Sequence, residues 1–423
     1  MCMKTRIPRD NIHMSWRPID GFNKAINVFI SPREPGKTDT TWWEKIYSNW
    51  VEDKRPWAYL VRQVVEITDA MIQDIQDNIN RWAIEPIQLS YNKGGFKDGI
   101  LDCFIYLKHK EKKLVKDKKG KEVEKEFEVS EKTLFIRIIA LSIPKRRIKL
   151  AKIPNIAGVF MDEFIIDPKS GEKYLKGEFS KLEELYTTYR REYKGKGMMK
   201  MYFCGNPYSL FNPLFVGLGV DVAKLRKDVY VETNQEIEYN FPNDDISFTD
   251  KFYKLKQNIY LGDDYAIEWG VLHPVLKRYL LAKNPFYQLD EEYSEYALEG
   301  CAINDKNIKL ATLPKNFYLS FVLKMSGKYI GIFQNNYIND LEDRFFCKFL
   351  DEVSAKRSIY CFEFEEMVER SILMDREERE KLQRFKNSMR KRTTSFEDIN
   401  VYYYMEEVYK NLWNQKSLFT INH

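Results

Sequence analysis

The sequence predicts an α/β fold: a mainly parallel sheet flanked by helices, with a long β-hairpin insertion, followed by a linker region and a smaller α+β domain. Three observations lead to this prediction. Short β-rich segments alternate with helical patterns in the N-terminal half. The chain has 423 residues, which allows two or three domains of roughly 150 residues each. Its composition, 44% hydrophobic and 15% aromatic, supplies apolar surface for packed cores and excludes a disordered chain.

Charge and apolar segments exclude several other classes of protein. Lysine and arginine (68) exceed aspartate and glutamate (63) by 5, so the chain is not a histone-like polycation. No apolar run reaches the roughly 18 to 20 residues that span a bilayer, and the start lacks the apolar stretch of a secretory signal. We therefore expect a soluble, intracellular protein with no membrane partner. The six cysteines form no CxxC pair and predict reduced, mostly buried thiols rather than a zinc site.

The first elements are predicted as strand, loop and helix. Residues 26–30 are a short β-rich run, and a tryptophan-rich helical pattern follows the loop after them. A second β-rich run, residues 57–61, ends at Arg62, and residues 69–82 repeat apolar residues with helical spacing. This alternation is typical of a sheet covered by helices.

Residues 99–141 predict a long β-hairpin with a charged tip and a turn at residues 117–120. From Lys108 to Lys125, nine lysines stand against four acids. The tip is either a contact for the phosphate backbone of a nucleic acid or a solvated loop, and both interpretations are open.

Two later strands are predicted to end in polar residues. The apolar run at residues 156–161 is closed by Asp162 and Glu163. Residues 198–204 form another β-rich run, which leads into Asn206. A buried strand that ends in two carboxylates is a signature of a functional site.

The chain is predicted to divide into three parts. Residues 1–242 form the first domain, and residues 300–423 form the second domain. Residues 243–299 are charged and loop-rich and are interpreted as a linker region with some helix.

Within the second domain three elements are predicted. Residues 317–333 form a hairpin with its turn at Ser326 and Gly327, and a helix lies near residues 345–354. A second helix, residues 375–392, begins acidic and ends basic, as the helix dipole favours.

Gly36, Lys37 and Thr38 lie between a predicted strand and a predicted helix, the place where a phosphate-binding loop ends. In such a loop backbone N–H groups hold the phosphates, the lysine reaches the β- and γ-phosphates, and the hydroxyl binds Mg²⁺. The motif is short, and Ser31 stands where the full pattern has a glycine. An ordinary turn before a helix is the alternative interpretation.

Asp162 and Glu163 favour the nucleotide interpretation. A P-loop ATPase needs a second strand whose terminal aspartate holds Mg²⁺, and a neighbouring glutamate can polarise the attacking water. Asn206 would lie beside Asp162, where it could sense the γ-phosphate, if the two strands are adjacent. Taken alone, the acidic pair could be a helix cap and Gly-Asn-Pro could be a turn. The order of the three strand ends together predicts ATP hydrolysis.

Several cations are candidates for stabilising the charge of the transition state. A trans-acting arginine is worth about 10³ to 10⁵ in rate where one is used. Arg62 ends the second strand, and Lys149 ends the basic segment at residues 144–149. Arg190 and Arg191 lie in a predicted helix at residues 179–193. For each of them, a solvated surface charge is the alternative.

At these residues the sequence resembles the DNA encapsidation (genome-packaging) ATPases of small podovirus-type phages, relatives of the large terminase subunit. The resemblance rests on a glycine-poor phosphate loop at residues 28–38 with Arg33, a strand ending in Arg62, a Mg²⁺ strand at residues 154–164, and the strand end at Asn206. It covers roughly residues 1–240 and continues more weakly through residues 317–333.

The resemblance implies an ASCE-type P-loop ATPase domain followed by a reduced RNase H-like domain whose nuclease is vestigial. It also implies site residues by position. Ser31, Arg33, Gly36, Lys37, Thr38 and Arg62 would contact the nucleotide, Thr38 and Asp162 would bind Mg²⁺, Glu163 would activate water, Asn206 would act as the sensor, and Lys149 and Arg190 would act on a neighbour's nucleotide.

The implied cofactors are ATP and Mg²⁺, and the implied partners are double-stranded DNA and the portal of a procapsid. The resemblance also implies a homo-oligomeric ring, expected to be pentameric, that works in the host cell cytoplasm and transiently on the viral procapsid. Whether a scaffold RNA takes part is left open.

Two features depart from the family pattern. Pro32 and Pro35 remove two N–H groups from the phosphate loop, and the lysine-tipped hairpin is an insertion.

Residues 317–333 contain no acid, whereas a two-metal nuclease needs several carboxylates, so we expect no nuclease activity. The alternatives are a complete terminase large subunit with an active nuclease, and a nucleic-acid-binding scaffold protein that does not hydrolyse ATP.

Overall fold

The computed structural model describes a defined part of the chain. This part comprises residues 12–33, 35–81, 83, 86–116, 122–167, 170, 172–208, 212–221, 224–225, 229–241, 246–256, 258–283, 309–325, 328–335, 344–351, 353, 359–361, 376–391 and 393–407. The chain divides into two compact units. The first comprises Met1–Tyr208 and Arg226–Ser294, and the second comprises Ser209–Leu225 and Glu295–His423.

The strands, in chain order, are β1 (Ile26–Ile30), β2 (Trp57–Val61), β3 (Leu89–Tyr91), β4 (Ile100–Lys116), β5 (Glu122–Ala140), β6 (Gly158–Met161), β7 (Lys200–Gly205), β8 (Val229–Phe241), β9 (Ile246–Lys256), β10 (Ile259–Leu261), β11 (Tyr265–Trp269), β12 (Lys309–Leu310), β13 (Phe317–Met325), β14 (Lys328–Asn335), β15 (Phe345–Leu350), β16 (Ile359–Cys361) and β17 (Ser395–Phe396).

The helices are α1 (Arg17–Asp20), α2 (Lys37–Thr40), α3 (Ser48–Asp53), α4 (Asp69–Asn80), α5 (Gly95–Asp98), α6 (Lys145–Leu150), α7 (Glu178–Glu192), α8 (Pro213–Leu218), α9 (Pro274–Lys283), α10 (Arg376–Arg390) and α11 (Ile399–Glu407). A π-helical segment, Thr41–Tyr47, joins α2 to α3, and Val64–Glu66 is a 3₁₀ turn. No described helix is both long and apolar enough to cross a bilayer.

The first unit is built on a nine-stranded sheet with the order β10-β11-β1-β7-β6-β2-β5-β4-β3. The six strands from β11 to β5 are parallel, and the three others pair antiparallel at the two sides. The central strands β1, β6 and β7 are almost entirely buried, as expected for parallel strands covered on both faces. The predicted α/β class with a parallel-rich sheet is therefore confirmed.

The predicted long hairpin is present as β4 and β5, which pair from Ile100 with Ile139 to Lys116 with Glu122. Only its base belongs to the larger sheet, because β3 pairs with β4 up to Ile105 and β2 pairs with β5 from Ile136 onward. The predicted turn at residues 117–120 lies outside the described residues.

The described part of the predicted linker region, residues 243–299, contains a helix, α9, as expected, but it also contributes strands to the first unit. Strand β11 extends the sheet by pairing in parallel with β1. Strands β8 and β9 form a separate two-stranded ribbon, which packs on α9 through Tyr239, Val275 and Leu276. In β9, the strand of the ribbon that lies within residues 243–299, exposed polar residues alternate with half-buried ones, and such a composition is also typical of a loop.

The second unit contains a six-stranded sheet with the order β12-β17-β15-β14-β13-β16. Strands β13, β14 and β15 form an antiparallel meander, and β16 pairs in parallel with β13. The predicted hairpin at residues 317–333 and the predicted helix near residues 375–392 are present as β13, β14 and α10, whereas the predicted turn at Ser326 and Gly327 lies outside the described residues.

The predicted helix near residues 345–354 is wrong, because Phe345–Leu350 is strand β15. Its first three residues are buried and its whole length pairs with β14. A short apolar run without periodicity fits a buried strand and a buried helix equally well, so the pattern could not decide between them.

Candidate active site

Three neighbouring parallel strands bring the predicted site residues together. Strand β7 lies between β1 and β6, so the chain leaves all three strands at the same edge of the sheet. The loop after β1 leads to Lys37, β6 leads to Asp162, and β7 leads to Asn206. The adjacency of β6 and β7, on which the sensor prediction depended, is present in the structure.

The loop after β1 turns into α2 at Gly36, whose φ of 77° lies in the left-handed region. The positive φ favours glycine, and a Cβ atom at this position would also make a tight contact of 3.1 Å with the imidazole Cδ2 of His13. The first helical hydrogen bond runs from the Thr40 N–H to the Gly36 carbonyl. The N–H groups of the first helical turn therefore point out of the helix, where an anion can accept from them.

Lys37 is 7% exposed, and its ammonium group is held by the loop itself. Its Nζ donates to the carbonyl oxygens of Ser31 (3.0 Å) and Pro32 (2.7 Å) and to Oδ1 of Asn206 (3.0 Å). Pro32 lacks an N–H group but contributes a carbonyl that holds the lysine. The ammonium thus connects the phosphate loop to the end of β7.

Thr38 and Asp162 are joined by a hydrogen bond of 2.6 Å, in which the threonine hydroxyl donates to carboxylate Oδ2. The other carboxylate oxygen accepts from the Glu163 N–H at 3.0 Å. Burial, assisted by the negative charge of Glu163, raises the pKa of Asp162 to about 6. Mg²⁺ prefers oxygen ligands. The Thr38 hydroxyl and the Asp162 carboxylate, whose negative charge is poorly solvated because it is buried, are therefore a suitable pair of ligands for Mg²⁺.

Glu163 follows directly and is exposed at the edge of the sheet. Its φ of 49° is unusual for a residue other than glycine and costs of order 1 kcal/mol or more. The Asp162 carboxylate is held by Thr38, whereas the Glu163 side chain is exposed.

Asn206 is 8% exposed and holds the end of β7 against the phosphate loop through its bond with Lys37. Arg33 is exposed and donates to the hydroxyl of Tyr208 at 3.0 Å, which makes a second connection between these two loops. Ser31 is buried, and its hydroxyl donates to the Pro32 carbonyl.

Arg62 lies under the loop that follows Asp162. Its guanidinium forms a bidentate pair with the Glu178 carboxylate, with N–O distances of 3.1 Å, and donates to the Phe164 carbonyl at 2.9 Å. The two side chains are 7% and 4% exposed. Sequence reasoning missed Glu178, because 116 residues separate it from Arg62 and it carries no local motif. The predicted contact of Arg62 with the nucleotide stays a prediction.

The other three predicted cations, Lys149, Arg190 and Arg191, are exposed on helices. Lys149, on α6, pairs with Glu184 of α7 at 3.2 Å, and Arg190 lies in the last turn of α7. Three described cysteines, Cys103, Cys204 and Cys347, are buried and carry free thiols, as predicted.

Comparison with known proteins supports the fold. No family model and no curated protein matches the chain. Among solved structures, the Phi-28 gp11 DNA packaging motor has a TM-score of 0.52 and 16% identity and aligns over 98% of this chain and 100% of its own. The bacteriophage Phi-29 viral genome packaging motor assembly has a TM-score of 0.52 and 14% identity over 94% and 98%. The resemblance to phage packaging motors, first inferred from the motifs, is thus confirmed at the level of the fold.

Proposed function

We propose that this protein is the ATPase subunit of a viral DNA-packaging motor, which moves double-stranded DNA into a procapsid. One observation carries the proposal. The phosphate-loop lysine, the Thr38–Asp162 pair, Glu163 and Asn206 meet at one edge of three adjacent strands, in a fold similar to that of two phage packaging motors.

The side chains have distinct roles in this proposal. Lys37 would exchange its carbonyl acceptors for the β- and γ-phosphates of ATP, while the N–H groups after Gly36 hold the phosphates. Thr38 and Asp162 would hold Mg²⁺, which neutralises phosphate charge when bound. Glu163 would orient and polarise the attacking water, and Asn206, released by Lys37, would contact the γ-phosphate.

Double-stranded DNA would be gripped through its phosphates, because a packaging motor must act on any sequence. The hairpin of β4 and β5 supports this role. Beyond Ile105 it extends for about 11 residues, roughly 35 Å at 3.3 Å per residue, and its sequence there is rich in lysine. The basic residues of α10 and the turn after it, Arg384, Arg390 and Lys391, form a second candidate contact.

The second unit would be a reduced RNase H-like domain without nuclease activity. The strand order β15-β14-β13-β16, with β16 parallel to β13, supports this assignment, whereas the position of β17 beside β15 departs from it. The predicted acids Asp340, Glu342 and Asp343 lie outside the described residues. Metal-dependent DNA cleavage would favour the alternative of a complete terminase large subunit.

A homo-oligomeric ring, pentameric by the family pattern, would place each nucleotide between subunits on the portal in the host cytoplasm. Participation of a scaffold RNA is a question for reconstitution of the motor with the portal.

ATP turnover with and without double-stranded DNA tests the proposed function. We expect turnover that rises with DNA and that falls about 10² to 10³-fold in Lys37→Ala, since one preorganised cationic donor is lost. Lys97→Ala, at an exposed lysine of α5, is the matched control and should behave as the wild type. DNA binding without turnover in the wild type would instead support the scaffold alternative.

Arg190 and Lys149 are tested as cations that act in trans. Arg190→Ala should lower turnover about 10³-fold or more if Arg190 completes a neighbour's site, and Lys97→Ala is again the control. Mixing Arg190→Ala with Lys37→Ala should then restore part of the activity. In a mixed ring, a Lys37→Ala subunit supplies its Arg190 to the intact phosphate loop of a neighbouring Arg190→Ala subunit. Lys149→Ala is examined in the same way. Absence of recovery in the mixtures would contradict action in trans.

A further inference from the structure

A cavity of about 500 Å³ lies beside the phosphate loop in the first unit. It is bounded by the segment before α1, by the loop at Pro35, by the ends of β1 and β11, and by the ribbon of β8 and β9. Its lining includes Pro35, Tyr230, Phe252, Tyr253, Glu268 and Val271. Its volume lies within the roughly 300 to 1,000 Å³ of small-molecule sites.

The position of the cavity complements that of the phosphate site. Strand β1 has two neighbours, β7 on one side and β11 on the other. Asn206 and Asp162 follow β7 and β6, so the γ-phosphate end of a bound nucleotide belongs on that side. The rest of the nucleotide would then extend toward β11, and Gly270 and Val271, which follow β11, line the cavity.

The walls have the chemistry of a base-binding site. Tyr230, Phe252 and Tyr253 supply aromatic rings, on which a nucleic-acid base can stack. The carboxylate of Glu268 is 1% exposed and also lines the cavity, where it can accept a hydrogen bond from an exocyclic amino group. Apolar walls with few polar groups are typical of ligand pockets.

The cavity is preformed by contacts with the phosphate loop and its helix. The Met14 N–H donates to the Pro35 carbonyl at 3.0 Å, and the Thr40 hydroxyl donates to the Met14 carbonyl at 3.2 Å. Glu44 accepts from the Ser15 hydroxyl at 2.9 Å. Pro35 of the phosphate loop thus lines the cavity, and its carbonyl also binds the segment before α1, which forms another wall of the cavity.

We propose that this cavity binds the nitrogenous base of the nucleoside triphosphate whose phosphates occupy the loop at Lys37. The inference rests on the proposed function and assigns the ribbon of β8 and β9 a task in nucleotide binding. Stacking on an aromatic side chain contributes about 10-fold or more to the binding of one base.

Two probes separate the cavity from the phosphate loop: ATP, which fills both, and inorganic tripolyphosphate, which fills only the loop. Their affinities for the full-length protein are measured by calorimetry with Mg²⁺. Val271→Trp, which places an indole in the cavity, should weaken ATP binding about 10-fold or more and leave tripolyphosphate binding within about twofold. Val65→Trp, the same substitution at an exposed valine that does not line the cavity, is the matched control and should bind both probes as the wild type does.

Tyr253→Ala provides a second test that does not depend on filling the cavity. It should produce the same selective loss of ATP binding, and Tyr253→Phe, which keeps the ring, should not. Equal weakening of both probes, or unchanged ATP binding in Val271→Trp and Tyr253→Ala, would overturn the inference while the proposed function stands. A wild type that binds neither probe would overturn both.

Discussion

Glu163→Gln is expected to lower ATP turnover by about 10² to 10⁴-fold while ATP affinity changes by no more than a few fold. The glutamate is exposed at the end of β6, whereas the carboxylate of Asp162 is engaged by Thr38 and by the backbone. Glutamine keeps the size of the side chain but cannot take a proton from water. The measurements are steady-state turnover with DNA and equilibrium binding of ATP.

A comparison with Asp162→Asn separates the two carboxylates. Loss of the Asp162 charge should weaken Mg²⁺-dependent ATP binding itself, whereas Glu163→Gln should affect mainly the chemical step. Glu163→Gly tests the backbone, because glycine adopts the observed φ of 49° without strain. This variant should be inactive but as stable as the wild type or slightly more stable. Turnover by Glu163→Gln above about a tenth of the wild-type rate would contradict a role as catalytic base.

The parts of the molecule that could be predicted are those in which a local pattern carries the information. Strands β1 and β2 match the predicted runs, since an apolar segment bounded by a turn signal is short-range evidence. Lys37, Asp162 and Asn206 were predicted as neighbours because each follows a strand of one sheet. Their meeting at one edge follows from parallel strand order.

The parts that were missed depend on contacts between distant residues. Strand β11 carries the buried Glu268 next to its last residue, and a buried acid interrupts the run of apolar residues by which a buried strand is predicted. The Arg62–Glu178 pair joins residues 116 positions apart, and the cavity beside Pro35 is lined by residues from separate segments that range from His13 to Val271. None of these contacts has a signature along the chain.

Glu178→Ala is expected to lower the free energy of unfolding by about 3 to 5 kcal/mol, because it leaves the guanidinium of Arg62 buried without its carboxylate. The double variant Arg62→Leu/Glu178→Leu removes both charges and fills the space with apolar atoms. It should recover most of the lost stability, since a buried ion pair contributes little net free energy over a hydrophobic pair of similar volume. Unfolding in urea followed by tryptophan fluorescence reports on the first unit, which contains seven of the eight tryptophans.

Turnover distinguishes a structural pair from one that positions the catalytic loop. Arg62 also donates to the carbonyl of Phe164, the residue after Glu163, so the leucine pair should restore stability without restoring activity. Arg62→Lys in the presence of Glu178 is the conservative variant. Lysine retains the positive charge but lacks the planar guanidinium that donates to both the Glu178 carboxylate and the Phe164 carbonyl. We expect its turnover to lie between those of the wild type and the leucine pair. If the leucine pair recovers both stability and turnover, Arg62 serves the fold alone, and the backbone of residues 162–164 holds Glu163 in place without it.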